Sequence, residues 1–434
     1  MNPPAALPDL AFSICVLCIL LMPLAGAGLA LINAGLGRAR NAAHAMMSSL
    51  CVLAVAAAAY FVCGFSWQAF PGRAAYAVQA GGKLWNWIGA DPLFLRGIDF
   101  GGSSASLAAL FGMFSAGLAA LIPLGSGAER WRLGGICAST AILAGWTYPL
   151  FAHWVWGGGW LAELGRNFGL GRGFVDVGGA GSIHAVGGLT ALAIAWILRP
   201  RRGKFAPEGM PSAIPGHNAV FVLFGCLLAL LGWLGLNTAG AILFAGVDTG
   251  RLPLVAINTM LSAGSATLAS ALITRGRFGK PDASLSANGW VGGLVASCAG
   301  CAFLIPAAAV LIGLVAGALV TLSIEWLEVY LHIDDPGGAI SVHALAGMWG
   351  LMAVGLFDHL PGSSGSHQWL AQLAGVATLL GFIFPLTYAL NRLLHRISPQ
   401  RVGLDGERQG MDLHELGANA YPELVTHQED FTPR

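Results

Sequence analysis

The sequence predicts an all-α polytopic membrane protein with eleven transmembrane helices arranged as an inverted repeat of five plus five. Of its 434 residues, 56% are hydrophobic and only 10% are charged, whereas a soluble protein of this size carries about 25% charged residues. Eleven apolar runs are long enough to cross a bilayer, which takes roughly 20 residues per helix. A pattern of thirteen residues also occurs twice, five apolar runs apart.

The apolar runs define a transmembrane domain over residues 1–397, and the polar residues 398–434 are predicted to form a cytoplasmic tail. Because no cationic segment or cleavage site accompanies the first run, we expect it to be retained and not removed as a signal peptide. The 62 glycines favour close helix packing in lipid. The runs cover residues 11–32, 43–66, 104–124, 134–152, 178–198, 217–244, 254–274, 286–303, 305–324, 339–357 and 370–391.

Lysine and arginine are distributed unevenly between the two sides of the predicted bundle. The C-terminal tail and the connections on its side hold 16 of them, and the other side holds 6. Cytoplasmic connections accumulate these residues, so we expect an inner-membrane protein with its N-terminus outside and its tail in the cytoplasm. The net charge of +1 provides no basic field for a nucleic acid.

The repeated pattern reads D-x-G-G-A-x-S-[IV]-H-A-x-x-G and covers Asp176–Gly188 and Asp335–Gly347. It places His184 in the fifth run and His343 in the tenth, and these runs cross the membrane in opposite directions. Inverted repeats of this kind place a shared site near the bilayer midplane. We therefore expect the two imidazoles to meet inside the membrane.

An ionisable side chain within a span indicates function by default, because charge is costly there. Burial keeps both imidazoles neutral, with one nitrogen donating and the other accepting. The pair could bind a small molecule or relay a proton. The alternatives are two hydrogen-bonded core histidines, or an enzyme with haem or metal bound by the histidines. No H-E-x-x-H or other metal spacing is present, so we predict no metal, no cofactor and no enzyme.

Asp176 and Asp335 each precede their histidine by eight residues, at the start of a predicted helix. Aspartate there caps the helix N-terminus and complements its dipole. For Asp335 we expect capping. For Asp176, capping and a favourable field for a nearby cation are compatible, and both interpretations stay open.

Aromatic residues mark two other places. The stretch 154–160 contains three tryptophans and is typical of an interfacial aromatic belt. The alternative is a cation–π face over an outer vestibule, for which Trp156 is the candidate. Phe111 and Phe114 share a helix face and would ordinarily be core residues.

Three further features are predicted to be structural. The connection 67–103 is expected to be an ordered extracellular cap without chemistry. Asn237, within a span, should hydrogen-bond to a neighbouring helix. Glu129 and Arg130 are most simply a local ion pair or a cap.

Together these motifs resemble the Amt/Mep/Rh ammonium transporter family over nearly the whole chain, and its bacterial Amt branch in particular. The two histidine blocks and the W-V-W-G-G-G stretch at 154–159 are the most specific matches. The resemblance implies an ammonium-transporter fold and a homotrimer with one pore per subunit. It also implies docking of a P-II-type signalling protein on the cytoplasmic loops and tail.

The resemblance further implies an ammonium site at Trp156, supported by Asp176, above a narrow apolar pore lined by His184 and His343. In this family two phenylalanines stack across the pore mouth and a serine helps to hold the cation. In this sequence the first phenylalanine is Phe111 or Phe114. Leu236 stands at the second phenylalanine position and Gly240 at the serine position, so the outer site is altered.

The resulting hypothesis is that ammonium loses a proton at the pore mouth and that ammonia passes along the histidines. The proton either returns outside, as in a channel, or crosses through the imidazole pair, which makes transport electrogenic. The alternative function is an ammonium sensor of the same fold that binds its ligand with little or no flux.

Overall fold

The computed structural model describes residues 7–357 and 367–422, and its spans correspond one to one with the eleven apolar runs. Nine spans of the described part are long and apolar enough to cross a membrane, whereas α8 and α10 are shorter. The spans are α1 (Asp9–Leu36, interrupted at Met22), α2 (Ala39–Gln68), α3 (Ser104–Gly127), α4 (Leu133–Trp156), α5 (Ala180–Leu198), α6 (Ala219–Leu243), α7 (Thr249–Phe278), α8 (Ala283–Ser297), α9 (Pro306–Val329), α10 (Ile340–Leu356) and α11 (Gln368–Ile397).

The connection after α2 contains a β-hairpin, which the all-α prediction did not anticipate. Strands β1 (Ala75–Ala80) and β2 (Lys83–Gly89) pair antiparallel around a two-residue Gly-Gly turn. Short helices occupy Leu164–Phe168 and Leu404–Gln409, and a π-helical turn occupies Asp412–Leu416. The cap is ordered, as expected.

The centre of the bundle is formed by α3 and α5. The buried share of the most apolar 18-residue segment is 83% in α3 and 89% in α5, against 28% in α2 and 22% in α11. Because α2 and α11 expose most of their apolar surface, we assign them to the lipid-facing periphery. The fifth span, which carries the first histidine, therefore lies deep inside the protein.

The two repeat copies pack against each other through equivalent glycines. A Cβ atom on Gly188 would lie 2.3 Å from the backbone nitrogen of Ala344, and one on Gly347 would lie 2.5 Å from the carbonyl oxygen of Ala180. Only glycine permits backbones to approach this closely. The reciprocal contacts bring the start of α5 against the start of α10, as an inverted repeat requires.

The bundle has two faces, a vestibule side and a tail side. The vestibule side contains the end of α4 and the start of α5. The tail side contains the end of α5, the start of α10 and residues 398–422. Residues 423–434 of the predicted tail, like 1–6 and 358–366, lie outside the described residues.

Residues 398–422 pack across the tail side and satisfy backbone groups at the starts of two spans. Asp412 accepts hydrogen bonds from the backbone nitrogens of Ala43 (3.1 Å) and His44 (2.7 Å). Glu415 accepts from the nitrogen of Leu133 at 2.8 Å and also lies 2.8 Å from the His44 imidazole. These carboxylates cap α2 and α4 and complement their helix dipoles.

A buried charge cluster joins the tail-side ends of four spans, α1, α3, α5 and α10. Arg201 binds both carboxylate oxygens of Asp334 (2.9 and 3.0 Å), and Arg130 donates to the Asp334 carbonyl oxygen at 2.8 Å. Glu129 pairs with Arg38 and Arg201. The expectation of a local Glu129–Arg130 pair is therefore wrong, because each residue has partners far away in sequence.

This cluster determines the ionisation of Asp334. Burial by itself would raise the pKa of its carboxyl group, but the guanidinium groups of Arg130 and Arg201 outweigh burial and lower the pKa to about 2. Desolvation of the fully enclosed Arg130 lowers the pKa of its guanidinium to about 10. All three groups are therefore charged at neutral pH.

We predict that Asp334→Asn lowers the free energy of unfolding by about 3 kcal/mol at pH 7, because it leaves two buried guanidinium groups undercompensated. The wild-type carboxylate has a depressed pKa, so its contribution to stability is complete above the ordinary aspartate pKa of 3.8 and is lost as pH falls through about 2. In thermal unfolding in detergent, the difference in stability between wild type and Asp334→Asn should shrink by about 2 kcal/mol as the pH falls over this range.

The control for this comparison is Asp405→Asn, which removes an exposed carboxylate on the same side. It should change stability by less than about 0.5 kcal/mol. Equal Tm values for wild type and Asp334→Asn at neutral pH would contradict the assignment.

Candidate functional site

The structure brings His184 and His343 into contact in the interior. Their Nδ1 atoms are 3.3 Å apart, the ring centroids are 5.3 Å apart, and the planes differ by 24°. Both side chains are buried, at 0% and 4% relative exposure. The sequence repeat had predicted this juxtaposition.

Each histidine lies in a π-helical turn at the start of its span. The turns cover Ala180–Ala185 and Ile340–Leu345 and continue directly into regular helix. A π-helical turn displaces side chains from the regular helical rows, and such turns occur frequently at functional sites. The repeat has therefore kept the local backbone irregularity as well as the residues.

The contact between the rings restricts their protonation. One neutral imidazole must donate through Nδ1–H and the other must accept, so one Nε2 carries a hydrogen and the other a lone pair. The Nε2 atom of His184 is buried without a hydrogen-bond partner among the described residues. On its other side the His184 ring stacks on Trp233, with centroids 5.0 Å apart and planes within 6°. The pair can thus offer one donor and one acceptor to a small polar molecule.

The aspartate that begins each repeat copy caps the histidine turn of that copy. Asp176 accepts from the nitrogens of Gly181 (3.0 Å) and Ser182 (2.8 Å) through a single oxygen, Oδ2. Asp335 uses both oxygens, accepting from Ala339 (3.1 Å), Ile340 (2.8 Å) and the Ser126 hydroxyl (2.7 Å). Oδ1 of Asp176 has no hydrogen-bond partner among the described residues.

A cavity of about 140 Å³ opens on the vestibule side. Trp156, Phe174, Phe244 and Phe303 contribute aromatic rings to its wall, and Asp176 lies in the same wall. The Trp156 indole nitrogen donates to the carbonyl oxygen of Asp176 at 2.7 Å. This bond ties the end of α4 to the segment that leads into the first histidine turn.

Two rings of the cavity wall, Trp156 and Phe244, form a cluster with Phe111, which lies behind the wall. Phe244 stacks on Trp156 with centroids 4.7 Å apart and planes within 10°, so it covers one face of the indole. Phe111 is fully buried and contacts both rings edge-on, at 5.5 Å from Trp156 and 5.2 Å from Phe244. Of the two phenylalanines considered on α3, Phe111 belongs to this cluster.

Three residues that the sequence predicts for the outer site lie outside this ring cluster. Phe114 is partly buried and packs against the hydrophobic core. Leu236 is completely buried within α6. A Cβ atom on Gly240 would lie 2.2 Å from the Val177 carbonyl oxygen, so this glycine permits α6 to touch the segment after Asp176. None of the three lines the vestibule cavity.

Phe244 was missed because it follows Gly240 by one helical turn, at the end of the sixth apolar run, where it resembles an ordinary terminal core residue. Asn237 hydrogen-bonds to Thr259 of α7 (2.9 Å) and Ser297 of α8 (3.2 Å), as expected for an interhelical amide. Among the residues that the structure describes, no three His, Cys, Asp or Glu side chains are grouped to hold a metal ion.

The profile of the Ammonium Transporter Family matches residues 11–421. The chain belongs to this family. Its members include Ammonium transporter Amt2 of Archaeoglobus fulgidus, which is 36% identical over 428 residues, covering 94% of this chain and 88% of the relative. The ammonium transporter of Bacillus subtilis is 29% identical over 424 residues, covering 94% of this chain and 97% of the relative.

Solved structures of ammonium transporters have the same architecture. A protein described as a Sensor Amt Protein superposes with a TM-score of 0.84 at 28% identity, covering 93% of this chain and 98% of the other. Mep2 of Candida albicans gives a TM-score of 0.77 at 23% identity, covering 95% and 90%, which supports the fold alone. The prediction of an all-helical polytopic protein with the ammonium-transporter fold is confirmed, and the family is one of transporters and not of enzymes.

We predict that Phe111→Leu alters ammonium uptake by proteoliposomes at least about threefold, because it removes the ring that contacts both Trp156 and Phe244 and each such aromatic contact contributes about 1 kcal/mol. The matched variant Phe114→Leu should leave initial rates close to wild type. A larger effect at Phe114 would place the functional ring one helical turn away from the cluster.

We predict that Gly240→Ala is destabilising by about 1–3 kcal/mol, because its Cβ atom would overlap the Val177 carbonyl oxygen. The control is Gly264→Ala in α7, where a Cβ atom meets nothing within 4 Å and the reduced freedom of the unfolded chain is mildly stabilising. The measurement is Tm in detergent, and a Gly240→Ala value at or above wild type would show that α6 can move away.

Proposed function

We propose that this protein transports ammonium across the cytoplasmic membrane, passing ammonia through a narrow interior path along His184 and His343. The observation that carries the proposal is the direct contact between two buried imidazoles at equivalent positions of the repeat. Family membership and relatives named as ammonium transporters support the choice of substrate.

Loss of a proton before passage follows from the energetics of the interior. A charged group at the bilayer centre costs at least about 3 kcal/mol, whereas neutral ammonia forgoes only hydrogen bonds. The histidine pair offers the donor and acceptor that replace those bonds. The cation is therefore recruited at the vestibule and loses its proton there, and neutral ammonia continues along the rings.

The vestibule has the features needed for recruitment. Aromatic rings attract cations through their faces, and the Asp176 oxygen without a partner adds negative potential beside them. The cluster of Phe111, Trp156 and Phe244 acts as the gate between the cavity and the histidines. Phe244 provides the second phenylalanine of the gate in place of Leu236. Phe114, Leu236 and Gly240 contribute to helix packing.

The arrangement in the membrane is also a proposal. The vestibule side faces outside and residues 398–434 lie in the cytoplasm in this proposal, which the distribution of lysine and arginine supports. The division after residue 397 coincides with the end of α11. A homotrimer with one pore per subunit, and a P-II-type protein docking on the tail side, follow by analogy with the family.

We predict that His184→Ala and His343→Ala each lower ammonium flux into proteoliposomes at least about fivefold, because each removes a hydrogen-bonding group worth about 1 kcal/mol from the path. The control is His332→Asn, which removes an exposed imidazole at a φ of 54° that asparagine tolerates. Flux unchanged in both alanine variants would remove the histidines from the mechanism.

The proton path is tested by solid-supported membrane electrophysiology with ammonium pulses and a potassium control. Charge movement that accompanies flux indicates that a positive charge crosses with ammonia, as proton transfer through the imidazole pair requires. Flux without current indicates that the proton returns outside and that the protein is an ammonia channel.

An ammonium sensor is the second candidate function. Phe244 covers one face of Trp156, and a protein described as a Sensor Amt Protein shares the fold. A sensor would bind ammonium, measured by isothermal titration calorimetry, and would show neither flux nor current in the same preparation.

A further inference from the structure

A cationic side chain of the protein already lies in the vestibule. The guanidinium carbon of Arg172 is 5.2 Å from the centroid of the Phe303 ring, within the range of a cation–π contact. Both residues line the cavity that contains Trp156 and Asp176. The aromatic wall that should receive an ammonium ion is therefore in contact with a cation of the chain itself.

The position of Arg172 is fixed by the start of α11. Gln368 accepts from the backbone nitrogen of Arg172 at 3.0 Å and donates to the carbonyl oxygen of Gly173 at 2.8 Å. One turn later, Gln372 accepts from the nitrogen of Val175 at 2.8 Å and donates to its carbonyl oxygen at 2.9 Å. Two side-chain amides thus hold the backbone of residues 172–175 as a neighbouring strand would.

Trp156 and Phe303, two of the rings in this cavity wall, differ in what covers their faces. Trp156 is covered on one side by the ring of Phe244, which is an apolar partner. Phe303 is covered by a monovalent cation that has the charge of ammonium. Guanidinium and ammonium ions are attracted to an aromatic face by the same quadrupole, so they are competitors for the same surface.

We propose that the Phe303 ring is a cation-binding face of the vestibule, and that Arg172 is its tethered occupant, which competes with incoming ammonium ions and sets the concentration at which the site fills. The inference rests on the proposed function for the identity of the natural ligand. Its ligand class is a small monovalent nitrogen cation such as ammonium, an alkylammonium or guanidinium.

The competition between the Arg172 charge and ammonium is tested by Arg172→Gln and Arg172→Lys in the full-length protein. Arg172→Gln should lower the ammonium Kd, measured by isothermal titration calorimetry, by about fivefold at low ionic strength, because it removes a like charge near the site. The difference should shrink in high salt. Arg172→Lys keeps the charge and should stay within about twofold of wild type, whereas a purely structural role would make both variants similar and insensitive to salt.

The control is Arg251→Gln, which removes an exposed positive charge from the same side of the membrane, outside the cavity. It should leave the Kd unchanged. Retained Tm and elution volume in size-exclusion chromatography identify variants that fold normally.

Cation binding by the face of the Phe303 ring is tested with guanidinium chloride at millimolar concentration as the probe. Arg172→Ala should bind guanidinium at least about fivefold more tightly than wild type, and the added substitution Phe303→Leu should abolish that gain, since leucine has no quadrupole. Guanidinium that binds Arg172→Ala no better than wild type would overturn the inference, whether or not the protein moves ammonium.

The two proposals fail separately. If wild type binds and transports ammonium while Arg172→Gln has the same Kd and the same salt dependence, the inference is wrong and the proposed function stands. If ammonium is neither bound nor transported but guanidinium binds Arg172→Ala through Phe303, the cation face stands and the substrate assignment falls.

Discussion

The site depends on the contact between two neutral imidazoles inside a protein interior that offers them few other partners. An unpaired polar group in such surroundings costs several kcal/mol, so two rings at 3.3 Å stabilise each other only while both remain in place. Either ring alone would leave a buried nitrogen unsatisfied. The two repeat copies are therefore energetically coupled at this point, and the structure around them serves to hold two oppositely directed spans in register.

Two kinds of contact provide that register. Aspartate at the start of each copy binds the free backbone nitrogens of the histidine turn, and these nitrogens have no partner within the helix itself. Glycine near the end of each copy lets the opposite backbone approach, as the reciprocal contacts of Gly188 and Gly347 demonstrate. The carboxylate fixes where the turn begins, and the glycine fixes how close its counterpart lies. Neither contact involves the histidines, yet both determine where the rings point.

The histidine pair and its caps could be predicted because the determinants are repeated locally in sequence. The spacing from Asp to His to Gly is the same in both copies, so one inference about topology placed all of these residues together. The eleven spans were equally accessible, since each is an apolar run of sufficient length. These features require no knowledge of how distant elements pack.

The remaining features depend on distant contacts that leave no local mark. Phe244 joins the site only because α6 approaches the segment after Asp176 at Gly240, which brings its last turn against Trp156. Glu129 and Arg130 are adjacent in sequence, but they bind Arg38, Arg201 and Asp334 from three other connections. The β-hairpin is different, because Gly81-Gly82 between two short runs is a local hairpin signal. It was not predicted because its two strands are short and mostly exposed, so they lack the alternating burial that marks a strand in a sequence.

An inverted repeat by itself gives a pore with two equivalent mouths, so direction must come from differences between the copies. Ser126 occupies an oxygen of Asp335, and the corresponding oxygen of Asp176 has no partner in the described residues. The same half carries the aromatic cavity, whereas the small space beside His343 is lined mostly by apolar residues, and its polar side chains besides His343 are the neutral amides of Asn33 and Asn288. A carboxylate oxygen with rings beside it favours a cation, and neutral amides favour a neutral polar molecule. The chemical asymmetry of the two mouths thus matches a substrate that is charged at one end of the path and neutral beyond the histidines.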